Sequence, residues 1–76
     1  MPKLPVVNAA EAIRALKRAD FLVDHQTGSH VTLIHRETKR RAVVPEHGGR
    51  DLRTGTLRAI LRDTGLSVEE FSRLLR

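Results

Sequence analysis

Apolar and polar positions along this chain follow a helical period first, then a strand period, then a helical period again. Ala9, Ala12, Ile13, Leu16 and Ala19 recur on one helical face, while Arg14, Lys17 and Arg18 fall on the other. Asn8 and Glu11 have capping-box spacing, so the pattern predicts a helix over about residues 9–18. Phe21 to Gln26 and Val31 to His35 then carry the β-branched and apolar content of strands, and Thr27, Gly28 and Ser29 form the turn between them. In the second strand His30, Thr32 and Ile34 face one way, and Val31, Leu33 and His35 the other. Arg40 to Pro45 reads as a third strand, centred on Ala42-Val43-Val44 and ended by Pro45. Glu46 to Asp51 is a loop by its glycines and charges. Leu57, Ile60 and Leu61 mark a helix over about residues 54–64, stopped by Gly65. Ser67 and Glu70 open a final short helix whose stripe is Val68, Phe71, Leu74 and Leu75.

The fold class is therefore α+β, in the order α-β-β-β-α with a short C-terminal helix. Its strands form a three-stranded antiparallel meander covered on one face by helices. That order resembles double-stranded-RNA-binding domains, at the level of topology only. A chain of 76 residues suffices for one small domain, taken as 1–76.

Composition narrows the chemistry. No apolar run approaches the roughly 18 residues of a membrane span, so no membrane role is expected. The opening Met1-Pro2-Lys3-Leu4-Pro5 has prolines where a secretory signal needs an apolar helix, and a cytoplasmic location is expected. The absence of cysteine excludes disulfides, thiolate nucleophiles and cysteine zinc sites. A net charge of +5 and a pI near 11.1, carried by eleven Arg and three Lys, point to a polyanionic partner such as nucleic acid. An arginine-rich composition alone is the competing explanation.

His30 is the candidate catalyst, because an imidazole with its ordinary pKa of about 6.5 both takes and gives a proton near neutrality. RNA carries its own nucleophile in the 2′-hydroxyl, so its cleavage requires proton transfer, in-line positioning and charge stabilisation, with no cofactor. Gly28 is free to take a positive φ, and Ser29 and the turn amides can hydrogen-bond a phosphate beside His30. From the residues alone, an inert surface histidine remains the alternative. His25, His30, His35 and His47 do not have metal-ligand spacing, and no metal is expected. Arg36, Lys39, Arg40 and Arg41 crowd one connection with a single carboxylate, and Arg50, Arg53, Arg58 and Arg62 line the second helix and its approach. Both clusters can track a phosphate backbone, and for the helix cluster a solvated face is an equal reading. Phe21 and Phe71 are the only aromatics, too few for base stacking.

Taken together, several stretches resemble the HicA family of mRNA-interferase toxins. They are Asp20-Phe21, Gly28-Ser29-His30, Val44-Pro45-Glu46-His47, Leu52-Arg53-Thr54-Gly55-Thr56-Leu57, Ile60-Leu61-Arg62, and Gly65 to Phe71. The resemblance runs over nearly the whole chain and rests on the order and spacing of these pieces. It implies a small endoribonuclease acting on mRNA, a catalytic histidine at His30, and a HicB-type antitoxin that binds and silences it. Gly28, Ser29, Lys39, Arg40, Arg41, His47 and Arg53 are the expected substrate contacts. Asp20 stands where the family commonly has Gly before the aromatic, and His35-Arg36 where His-Pro is common. Two alternatives remain: a non-catalytic RNA-binding module, or an inactive toxin that serves only as an antitoxin's partner.

Overall fold

The computed structural model describes residues 3–76, so Met1 and Pro2 of the opening segment lie outside it. Its elements are α1 (Ala9–Arg18), β1 (Phe21–Thr27), β2 (His30–His35), β3 (Arg41–Pro45), α2 (Thr54–Thr64) and α3 (Val68–Leu74). The strands form one antiparallel sheet in the order β1-β2-β3. This is the α+β meander expected, with Thr27 and His30 inside the strands and Arg40 just outside β3. Among the described residues no helix is long and apolar enough to cross a membrane.

The helices form where the sequence supplies their ends. In α1 the Asn8 side chain accepts from the Glu11 N–H while Glu11 accepts from the Asn8 N–H, both at 2.9 Å. Ser67 and Glu70 repeat the arrangement on α3. The two boxes satisfy backbone donors that no intrahelical carbonyl can reach. Helix α2 ends at Gly65 with φ 77°. The chain leaves α1 through Asp20 at φ 70°, a left-handed position. Glycine fills such a site without a Cβ penalty and aspartate tolerates it, which accounts physically for Asp20 at a position open to Gly.

One face of the sheet is the floor of the core. Phe21, Val31, Leu33, Ala42 and Val44 meet Ala12, Ala15 and Leu16 of α1, Leu57 and Ile60 of α2, and Phe71 of α3, all buried. Alanines on α1 let its backbone approach the sheet closely, and α3 packs mainly on α1, with Phe71 reaching into the shared core. The segment before α1 closes the far side. Val7 is buried, its carbonyl accepts the Leu52 N–H at 2.8 Å, and Asn8 bridges to Asp51. The approach to α2 is thereby tied to the start of α1.

Two outcomes follow. Asp20→Ala should destabilise the fold by about 1–2 kcal/mol through left-handed strain, while Asp20→Gly should be near neutral, as read by denaturant melts. The Ser67 backbone N–H, and after it the Ser67 side chain, hold the Glu70 carboxyl below its ordinary value of 4.5. A depressed carboxyl stabilises fully above that ordinary value and loses its contribution as pH falls through the lower folded one. Amide protection factors in α3, taken against the intrinsic exchange rate at each pH, should therefore fall below pH 4.5, and Glu70→Gln should flatten that dependence.

Candidate active site

His30 is placed by the turn before it. Gly28 takes φ 58° and Ser29 a negative φ, the pattern of a type II′ hairpin turn whose twist matches its strands. His30 pairs with Thr27 on one side and with Pro45 on the other. Just beyond, the Glu46 N–H donates to the Ser29 carbonyl at 2.6 Å. The backbone around His30 is thus held from both neighbouring strands, while the side chain stands on the exposed face.

That uncovered face is laid out in rows. Thr27, His30 and Pro45 form the row at the hairpin end, His25, Thr32 and Val43 the next, and Leu22, Ile34 and Arg41 the last. Thr32 is only 7 % exposed although it points away from the core, since both flanking strands overhang the central one. Leu22 and Val43 are exposed and leave an apolar strip between the two ends.

The presence of His25 in the second row is not what simple alternation gives. Phe21 and Val23 pair with His35 and Leu33 on the helix side, and His25 would follow them there. Between Val23 and His25, however, β1 advances two residues while β2 advances one, from Leu33 to Thr32. The extra residue, Asp24, makes a bulge that turns His25 to the open face. There His25 Nδ1 lies 2.7 Å from Asp24 Oδ2, with both side chains about half exposed. A carboxylate only accepts, so Nδ1 carries the hydrogen and Nε2 is left as the free ring nitrogen.

His35 differs from both. It lies on the helix side, its Nδ1 accepts the Glu37 and Thr38 N–H groups at 3.1 Å, and its ring meets Phe21 edge-on with centroids 5.0 Å apart. Its imidazole serves the β2–β3 connection. Among the described residues no three His, Cys, Asp or Glu side chains gather in a way that could hold a metal ion.

The expected substrate contacts fall into two groups. Gly28 and Ser29 adjoin His30, and Glu46 leads directly to His47. His47 and Arg53 line a cleft of about 440 Å³ together with Pro45, Arg50, Asp51, Leu52 and Thr56. Pro45 joins cleft and histidine, since it is also His30's partner across β2–β3. The cleft lies at the start of α2, where Arg53 provides no side-chain cap and the first turn has no acidic residue. Such a helix end favours anions. Thr56, which the sequence offered only as part of a family-like stretch and not as a contact, also lines the cleft.

Lys39, Arg40 and Arg41 lie at the other end of the hairpin. Four residues of strand separate His30 from Ile34, Arg41's partner, or about 13 Å at strand rise. Lys39 takes φ 64° and donates from Nζ to the Arg36 carbonyl at 3.0 Å. Arg40 Nη1 lies 3.4 Å from the Asp63 carbonyl, against the C-terminal end of α2. Arg41 alone of the three shares the open face with His30.

Fold and site together define a small cationic α+β protein with an exposed histidine whose strand partner, Pro45, lines a cleft suited to anions. Residues 9–66 match the family described as HicA toxin of bacterial toxin-antitoxin, and the chain belongs to that family. No curated protein matches the chain. The family match begins with α1 and ends before α3, so it leaves out residues 1–8 and the last helix.

A prediction separates the imidazoles. His35→Ala removes an acceptor for two backbone donors and an aromatic contact, and should cost about 1–3 kcal/mol in a denaturant melt. The exposed His30→Ala should shift the same melt by no more than about 0.5 kcal/mol.

Proposed function

We propose that this toxin is a metal-independent endoribonuclease that cleaves mRNA, with His30 as its general acid–base group. The observation that carries this reading is an exposed histidine, its backbone held by a two-sided ladder, whose cross-strand partner Pro45 lines a cleft with His47, Arg50 and Arg53. Membership of a toxin family supports it. His30 assists removal of the proton from a 2′-hydroxyl, the 2′-oxygen attacks the adjacent phosphorus, and the chain parts into a 2′,3′-cyclic phosphate and a 5′-hydroxyl. One positioned imidazole contributes about 10²- to 10⁴-fold by such proton transfer.

Positioning and charge supply the remainder. The cleft arginines and the open end of α2 hold backbone phosphate next to His30, with Gly28 and Ser29 close behind. Arg41 and the Lys39–Arg40 turn meet a more distant part of the same backbone. A HicB-type antitoxin silences the protein by covering the open face, where the apolar strip of Leu22 and Val43 lies between the two cationic ends.

The test is incubation of the purified protein with RNA in the presence of EDTA, alongside His30→Ala. Cleavage to cyclic-phosphate ends by the native chain, lost in the variant at unchanged RNA affinity, is the expected result. Cleavage that persists in the variant removes the assignment. Salt-steep binding without scission by the native chain would instead identify a non-catalytic RNA-binding module. Arg53→Ala should weaken RNA binding and lower its salt dependence by about one phosphate contact.

A further inference from the structure

We propose that His25 is a second catalytic residue, the general acid that protonates the 5′-oxygen as it leaves. This rests on the ribonuclease reading of His30 and adds to it a proton donor that the reading leaves unassigned. In-line displacement puts the attacking and leaving oxygens on opposite sides of phosphorus. An imidazole close to the 2′-oxygen is therefore badly placed to protonate the 5′-oxygen, and a second donor from another direction completes the reaction.

The bulge at Asp24 brings such a donor to the right face. Without it, alternation from Phe21 and Val23 sends His25 to the helix side; with it, His25 pairs with Thr32, two residues from His30 on β2. His30 itself faces Thr27, two residues from His25 on β1. The two histidines are thus diagonal neighbours on one face, at a spacing of about 7–8 Å. A phosphodiester fits between them with each ring within about 2.6–3.2 Å of its oxygen.

Asp24 gives the ring one orientation. The Nδ1–H points to the carboxylate at 2.7 Å and leaves Nε2 as the nitrogen available to substrate. The plainer account, an exposed ion pair between neighbours, explains less. Exposed pairs contribute only about 0.2–1 kcal/mol, little return for interrupting a strand ladder.

The step balances. A ring nitrogen of His30 takes the 2′-hydroxyl proton, the O2′–P bond forms, the P–O5′ bond breaks with its electron pair on O5′, and O5′ takes the proton from His25 Nε2. The two imidazoles end with exchanged protonation, which water restores.

A leaving-group experiment tests this in the intact protein. Two short RNAs are compared, one with the ordinary 5′-oxygen and one with bridging sulfur there. A thiol has a pKa of about 8.5, so its anion departs without a donor. His25→Ala should slow the oxygen substrate by about 10²- to 10⁴-fold and leave the sulfur substrate near the native rate. Asp24→Ala, which frees the ring, should slow the oxygen substrate by less and spare the sulfur one. His30→Ala should slow both. Equal slowing of both substrates in His25→Ala, or slowing of neither, overturns the role of His25 and leaves that of His30 standing. Absence of cleavage of either RNA by the native protein overturns both. Circular dichroism of His25→Ala, a change at an exposed side chain, should match the native chain.

Discussion

Burial of Val31 and Leu33 on one side of β2 is the constraint from which the rest of this structure follows. With those two against the helices, His30, Thr32 and Ile34 are committed to the other face. A slip of one residue would reverse every side chain, placing an imidazole in the core and Leu33 in water. Full burial of a Leu side chain is worth about 1.5–3 kcal/mol, and an unpaired polar group in its place costs a similar amount again. The exposed histidine is therefore secured by the apolar side chains behind it.

The positive charge is divided between structure and surface. Arg18 Nη1 donates to the Leu74 and Arg76 carbonyls at 2.6 and 2.7 Å, closing the C-terminal end of α3 onto α1. Arg40 stands at the corresponding end of α2. Both satisfy carbonyls that a helix leaves open and meet the negative end of its dipole. Among the described residues the ion pairs are Asp24–His25 and Arg62–Asp63. Arg50 and Arg53 thus keep their charge for solvent or a ligand, with Asp51 the single acid in their cleft.

Elements written in local chemistry were legible in the sequence. Asn8 with Glu11, Ser67 with Glu70, and Gly65 gave the helix limits, since each acts within one turn of chain. Alternation through Val31 and Leu33 gave the faces of β2. What depended on distant contacts was hidden. The bulge at Asp24 has no glycine or proline to announce it, and period two alone does not reveal that His25 reaches the open face. Arg40 read as one of a crowded basic run, yet its guanidinium lies against a helix end twenty-three residues on. The cleft needs Val7 paired to Leu52, a contact that no local pattern encodes.

Size shapes where chemistry can lie. A chain of 76 residues buries only about 60 % of its unfolded surface, too little to enclose a polar constellation with every donor and acceptor matched. Its core is accordingly apolar, with Thr32 and Thr64 the buried polar residues described. Functional groups are left to the outer face of the sheet, where water solvates them until a ligand arrives. A β-sheet suits that arrangement, because backbone hydrogen bonds fix the spacing of surface side chains without burying them. Under the proposed ribonuclease reading the demand is small, since the nucleophile would come with the substrate and the protein would have only protons and positive charge to place around one phosphate. Two strands joined by a two-residue turn, with one bulge, are enough to set such positions.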